Sequence, residues 1–238
     1  MNTAVILAGG RGTRLAPYTA VFPKPLVPIG NYPVVEILVR QLYAAGFQRL
    51  VFATGHLSEL LRAYFHQHPL IKRGVEFCWV REDEPLGTAA PLGLVKDFPG
   101  NALVLNGDLF TTMDFSAFFR GHVESGCALT VAAHSRNVSL NLGVLSREGD
   151  RVTGYHEKPS YTFDVSMGIY GVSKRVLNHI PGESRMDFPE LVTRLLERGE
   201  TVRCVDPDCH WLDIGNPDDY AAAQEEFEKR ASLYMPED

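Results

Sequence analysis

The sequence predicts an α/β fold, with a mostly parallel sheet covered by helices on both faces and a smaller antiparallel part after it. Three observations carry that expectation. Ala4 to Ala8, Leu50 to Thr54 and Ala102 to Leu105 are short runs of aliphatic and β-branched residues, which read as strands buried on both faces. Segments with helical spacing of apolar residues lie between them, the alternation that builds parallel sheets. Past about residue 125 the runs shorten and are joined by turns such as Glu148 to Asp150, a hairpin pattern.

The elements are justified in chain order. After the first strand and a glycine-rich turn, Asn31 reads as an N-cap and Pro33 as an early helical residue, ahead of Val34, Val35, Leu38 and Leu42. Gly46 closes that helix. Ser58 to Phe65 reads as a second helix, Val75 to Val80 as a third strand and Thr88 to Lys96 as a helix before the central strand at Ala102. A helix from Asp114 to Ser125 puts Phe115, Phe118 and Phe119 on one core-facing side. Leu129 to Ala133, Leu142 to Ser146 and Arg151 to His156 read as shorter strands, and Ser166 to Val172 as another, with Ser173 capping the helix after it. Asp187 and Glu190 fit a capping box for a helix to about Arg198. Thr201 to Val205 is a late strand, and Asn216 with Pro217 opens the last helix.

The 238 residues suffice for one α/β domain over 1–238, with halves of about 1–125 and 126–238. A hydrophobic content of 45% and a charged content of 22% fit a soluble globular chain. The formal net charge of −6 argues against a nucleic-acid partner, because polyphosphate binding needs many cations. Met1 to Ala8 has no basic leader and no run reaches transmembrane length, so the expectation is a cytoplasmic protein without a membrane partner. The four cysteines show no CxxC spacing. Cys204, Cys209 and His210 lack a second ligand pair, so zinc is set aside.

Chemistry concentrates at strand ends. Gly9, Gly10 and Gly12 come after the first strand, and their backbone N–H groups can curl around an anion. Leu15 stands where a dinucleotide fingerprint needs glycine, and the Gly-Lys-Ser/Thr of a Walker loop is absent. Instead the turn carries Arg11 and Arg14, with Lys24 between Pro23 and Pro25, which favours a phosphate site over a turn of solvated charges. Asn106, Gly107 and Asp108 fall at the end of the central strand. By residues alone Asp108 is equally a metal ligand or a turn residue. Glu157, Lys158 and Pro159, taken alone, read more readily as an exposed ion pair than as a site.

The segments LAGGRGTRL and FPKPLVPIG together resemble the signature of the sugar-1-phosphate nucleotidylyltransferases, the nucleotide-sugar pyrophosphorylases, and the similarity recurs along nearly the whole chain. It implies a Rossmann-like sheet and an enzyme that joins a nucleoside triphosphate to a sugar 1-phosphate, with those two small molecules as partners. Leu7, Ala8, Gly9, Gly10, Arg11, Gly12, Thr13 and Arg14 would hold the nucleotide with Lys24, and Arg14 and Lys24 would be catalytic. Pro85, Gly87 and Thr88 would border the base, and Asn106 and Gly107 at the strand end would also bind the nucleotide. Asp108 and the aspartate of WLDIG, Asp213, would bind Mg²⁺ across the cleft. Gly143, Glu157, Lys158 and Gly168 would take the sugar phosphate in the antiparallel part. Ser166, Met167 and Gly168 stand where the family often has Asn-Ala-Gly, and Ala90 where guanylyl and uridylyl members often have glycine.

The sugar phosphate is already ionised at neutral pH, so no general base is required. His56 and His156 stay unassigned. The reading favours GTP with a mannose- or heptose-like 1-phosphate, with UTP, dTTP and CTP open. Its rivals are a cytidylyltransferase for a non-sugar alcohol phosphate and a non-catalytic nucleotide-sensing subunit. Whether the chain forms a homo-oligomer stays open.

Overall fold

A computed structural model describes residues 1–236 apart from Arg11, Ala16, Pro17, His56, Asp83 and Glu183. In chain order the strands and helices are β1 (Asn2–Ala8), β2 (Pro28–Ile29), β3 (Tyr32–Pro33), α1 (Val34–Ala44), β4 (Phe47–Thr54), α2 (Ser58–Phe65), β5 (Glu76–Arg81), β6 (Asn101–Asn106) and β7 (Leu109–Thr111). They continue as α3 (Phe115–Ser125), β8 (Leu129–Ser139), β9 (Val144–Glu148), β10 (Arg151–His156), β11 (Ser160–Ser173), α4 (Phe188–Glu197), β12 (Val202–Val205), β13 (Trp211–Asp213) and α5 (Pro217–Tyr234).

The main sheet has seven strands in the order β12-β8-β11-β6-β1-β4-β5. β4, β1, β6 and β5 pair in parallel, β11 is antiparallel to both β6 and β8, and β12 is parallel to β8. Only β11 therefore runs against the other strands of this sheet. Among the described residues, the antiparallel character expected of the later half belongs to that one strand, to the separate β9–β10 hairpin and to β13, which pairs with β7.

Alternation along β1 divides the core. Ala4, Ile6 and Ala8 face one layer with Leu38, Phe47, Phe52 and Phe119, while Val5 faces the other with Val51, Val104, Phe188 and Leu191. A sheet buried on both faces needs no polar alternation, and none appears in β1 or β6. A third cluster, with Leu15, Ile29, Phe110, Ile214, Phe227 and Tyr234, packs α5 against the segment after the glycine turn. There Phe110 and Tyr234 stack with ring centroids 3.9 Å apart.

Several local expectations are corrected. The helix read over Thr88 to Lys96 is a 3-10 helix over Ala90–Leu94, since Pro91 and Gly93 within five residues prevent an α-helical ladder. Asn31 does not cap α1. Pro28 and Ile29 pair with Pro33 and Tyr32, which makes Gly30 (φ +56°) and Asn31 a hairpin turn and leaves Pro33 at the helix start. Ser173 makes no capping bond, and its hydroxyl lies 2.8 Å from Asn101 Oδ1 and 2.7 Å from the Cys127 carbonyl. Asp187 caps nothing by its side chain, which is taken by Thr88, and Glu190 pairs with Arg194 instead. No described helix is long and apolar enough to cross a membrane.

Candidate active site

The carboxyl ends of β1 and β6 lie side by side, with Leu7 registered against Asn106. In a parallel sheet that edge is where ligands bind. The two chain segments leaving it stay close, because the Gly107 N–H donates to the Leu7 carbonyl at 2.8 Å. A Cβ on Gly107 would lie 3.0 Å from that oxygen and 3.2 Å from Pro25 Cγ, so a side chain here would push β1, β6 and the PKP segment apart.

Beyond Gly9 and Gly10 the chain turns at Gly12, which has φ +61° and whose carbonyl accepts from the Thr19 hydroxyl at 2.7 Å. A Cβ there would meet Thr19 Cγ2 at 2.9 Å and Lys24 Cβ at 3.1 Å. Glycine is thus what lets the turn fold onto the lysine. Lys24 itself starts a 3-10 turn, Lys24–Leu26, whose Pro25 is buried.

The Lys24 ammonium donates to Asp108 Oδ2 and stands 3.7 Å from Asp213 Oδ1. Asp108 leaves the end of β6, and Asp213 ends β13, which pairs with β7 so that Asp213 sits opposite Leu109. The Ile214 N–H also donates to the Asp108 carbonyl at 3.2 Å. Segments far apart in sequence therefore bring two carboxylates to one ammonium. Burial raises the Asp108 carboxyl above its ordinary pKa; Lys24 pulls it back, and the negative charge of Asp213 adds to the rise. Such a pair offers hard oxygen donors, and a cation between them relieves their repulsion, so the residues fit a divalent metal.

Comparison with known proteins identifies the chain. The profile described as "Nucleotidyl transferase" matches residues 3–230. The chain belongs to that family. It is 29% identical to a UTP–glucose-1-phosphate uridylyltransferase of Synechocystis, over 91% of this chain and 61% of the relative, and 31% identical to a mannose-1-phosphate guanylyltransferase catalytic subunit beta of Danio rerio, over 91% and 62%. It thus spans about three fifths of those relatives' length. A D-glycero-alpha-D-manno-heptose 1-phosphate guanylyltransferase of Aneurinibacillus thermoaerophilus, 27% identical, is matched over 94% of this chain and 98% of its own length. Among solved structures, HddC from Yersinia pseudotuberculosis complexed with GMP-PN superposes with a TM-score of 0.73 at 25% identity, covering 95% of this chain and all of the other.

In this member of the nucleotidyl transferase family the remaining predicted residues fall into three groups. Asn106 and Gly168 adjoin the aspartates: Gly168 has φ +72°, and a Cβ on it would lie 2.5 Å from Asn106 Nδ2. It sits in an irregularity of β11 between Ser166 and Tyr170, where the Met167 carbonyl accepts from Trp211 Nε1 at 3.0 Å. Trp211 is also a packing residue, since it lies against the core.

Gly87 and Thr88 are bound to the start of α4. The Thr88 N–H donates to Asp187 Oδ1 at 2.9 Å, the Thr88 hydroxyl accepts from the Phe188 N–H at 3.0 Å, and Gly87 (φ +86°) leaves no room for a Cβ beside the Met186 carbonyl. Pro85 is exposed beside them. Thr13 and Arg14 are exposed in the 3-10 turn after Gly12, and Arg11 and His56 lie outside the described residues.

Gly143, Glu157 and Lys158 form the third group, on and around the β9–β10 hairpin. All are exposed. A Cβ on Gly143 would overlap the Tyr155 hydroxyl, which donates to Glu157 Oε2 at 2.9 Å. Among the described residues no hydrogen bond or ion pair joins this group to Lys24 or the aspartates. The bend after Glu157 is sharp, with Lys158 at φ +44°.

Glu82 lies against the glycine turn, a neighbour that sequence reasoning did not reach. It extends β5, its N–H donating to the Thr54 carbonyl at 2.9 Å, and a Cβ on Gly9 would lie 2.6 Å from its Oε1. Burial raises its pKa, while the Leu86 N–H bonded to Oε2 at 2.9 Å works the other way. Its only sequence signal was its place at the end of a strand neighbouring the glycine turn.

Proposed function

We propose that this chain transfers a nucleotidyl group from a nucleoside triphosphate to a sugar 1-phosphate, giving a nucleoside diphosphate sugar and pyrophosphate. The convergence of Lys24, Asp108 and Asp213 beside the glycine turn carries the reading. Reaction requires two phosphorylated anions to approach, so charge neutralisation and in-line placement are the main demands. A sugar-phosphate oxygen forms a bond to the α-phosphorus as the bond to the bridging oxygen of pyrophosphate breaks, and that electron pair leaves with pyrophosphate. Lys24, Arg14 and the N–H groups of the turn hold the nucleotide phosphates and stabilise the departing charge. Lys158 and Glu157 orient the sugar phosphate, with Gly143 and Gly168 keeping space for the ring. When bound by Asp108 and Asp213, Mg²⁺ supplies further neutralisation of phosphate oxygens.

GTP with a mannose- or heptose-like 1-phosphate is the favoured pair. Glu82 supports it, because a carboxylate accepts hydrogen bonds and the guanine edge offers N1–H and N2–H₂ as donors. The likeness to a heptose guanylyltransferase matched over nearly its whole length supports the same pair. The uridylyltransferase relative favours UTP with glucose 1-phosphate as the second reading. A screen of nucleoside triphosphates against mannose, heptose and glucose 1-phosphates, with Mg²⁺ and pyrophosphate release as readout, decides between them. Activity confined to UTP with glucose 1-phosphate would overturn the first pair. No release with any pair would overturn the enzyme.

A further inference from the structure

Beside Asp213 the surface opens into a cleft of about 380 Å³, walled by Arg14, His134, Arg136, Trp211, Asp213 and Asp219 among others. Its two guanidiniums come from unrelated elements. Arg14 belongs to the turn after Gly12, and Arg136 to the outer half of β8. Among the described residues neither has an acidic partner. The acids nearby are engaged: Asp213 faces Lys24 at 3.7 Å, and the Asp219 carboxylate receives the side-chain amide of Asn216, the N-cap of α5.

Arg136 is held in place by its strand. β8 pairs with β11 so that Arg136 is opposite Phe163 and His134 is opposite Val165. Residues two apart on a strand share a face, and the His134 ring packs against Trp211 with centroids 5.7 Å apart. The contact at His134 therefore sets the face from which Arg136 enters the cleft.

Two arginines without acidic partners, lining one cleft next to a carboxylate, suit an anion that carries several charges. Guanidiniums take phosphate oxygens two at a time, and paired forks fit a diphosphate better than a single phosphate. We propose that Arg136 is a second cation for the pyrophosphate portion of the nucleoside triphosphate, sharing it with Arg14. The proposal rests on the nucleotidylyltransferase reading. Since the leaving group gains negative charge as its bond to the α-phosphorus breaks, a cation there assists departure as well as binding.

The test compares the full chain with Arg136→Ala and Arg136→Lys, by initial rates in both directions and by calorimetric titration of pyrophosphate in MgCl₂. Arg136→Ala is expected to weaken pyrophosphate binding about tenfold or more, the scale of losing a charge-assisted guanidinium contact. The KM values for nucleoside triphosphate and for pyrophosphate rise together, and the KM for sugar 1-phosphate stays put. Arg136→Lys recovers part of the loss, because it restores charge without the fork. Unchanged pyrophosphate binding overturns the proposal. So does a rise confined to the sugar 1-phosphate KM, which would make the cleft an acceptor subsite. If the unaltered chain turns over no substrate pair, the enzymatic reading fails, and the calorimetric comparison still judges Arg136.

Discussion

At the glycine-turn end of the cleft, the Lys24 and Asp108 side chains are 13% and 17% exposed, and each chain segment is tied to a neighbour by backbone bonds. At the β9–β10 hairpin, Glu157 and Lys158 are exposed just past a two-stranded sheet whose Leu145, Val152 and Tyr155 are exposed too. An isolated two-stranded sheet is marginal in water. One end is thus preorganised by the core, while the other is held by little besides its own ladder. On the proposed function, the charged chemistry would sit where packing fixes it, and recognition of the acceptor where the fold tolerates change.

The sharpest way to break this contrast is at Asp108. Asp108→Asn removes the charge at the rigid end with little change of shape. It is expected to lower turnover by about 10³-fold or more, the scale of losing a preorganised electrostatic group, with a cooperative thermal melt retained. Pyrophosphate release measures it. Activity within tenfold of the parent would mean that the convergence at Lys24 serves folding and not reaction.

A second test uses β8 and β11, whose inner halves are buried and outer halves exposed. Under the inner halves His122 is fully buried, with Nδ1 2.9 Å from Thr130 Oγ1 and Nε2 3.4 Å from Ser173 Oγ. Burial, and then the charges of Arg175 and Arg203, lower its pKa from 6.5 to about 4. Between those values the unfolded chain holds a proton that the folded chain lacks. Stability therefore falls as pH drops from 6.5 to about 4, by at most about 3 kcal/mol from this residue. Urea unfolding across that range should show the slope, and His122→Gln should flatten it. A slope unchanged in the variant would move the acid sensitivity elsewhere.

Two glycines test the contrast with a single substitution. Gly168 at φ +72° lies under Asn106, whereas Gly149 at φ +61° sits in the hairpin turn with nothing within 4 Å of a Cβ. Gly149→Ala is expected to cost about 1 kcal/mol, from backbone conformation alone. Gly168→Ala adds the collision with Asn106 and is expected to cost up to about 3 kcal/mol, and to raise the KM for substrate as Asn106 moves. Equal losses in denaturant unfolding would show that the two regions are equally yielding.

These differences also explain what the sequence made legible. The β1 and β6 runs are continuous and apolar because both faces are buried, so the strands could be read from their residues, whereas Asp108 at the end of β6 stayed even between ligand and turn residue until the family resemblance was added. Asp213 entered only through the resemblance of WLDIG to the family, and its pairing with β7 depends on long-range register that no local pattern encodes. The single reversed strand β11 was hidden for the same reason, since direction leaves no mark on composition. Asp187 resembled a cap by position, yet a tertiary partner, Thr88, outcompeted the local role. Glu82, just past the end of β5, and Arg136, on β8, are ordinary charged residues, and only the packing of sheet neighbours and the cleft beside Asp213 distinguishes them.

The smallest expected effect is at the exposed end. Lys158 has no acidic partner among the described residues, so Lys158→Ala removes no stabilising contact, and its melting temperature should match the parent within about 2 °C. Its positive φ of +44° is retained at alanine, so backbone strain is also unchanged. If this ammonium holds the sugar phosphate, the KM for sugar 1-phosphate rises about tenfold, one charge-assisted hydrogen bond, while the KM for nucleoside triphosphate is unaffected. Initial rates with each substrate varied in turn separate the two. A rise in both would mean that the hairpin closes over the nucleotide as well, and that the two ends of the cleft act as one. No rise in either would leave the sugar phosphate to groups nearer Asp108 and Asn106.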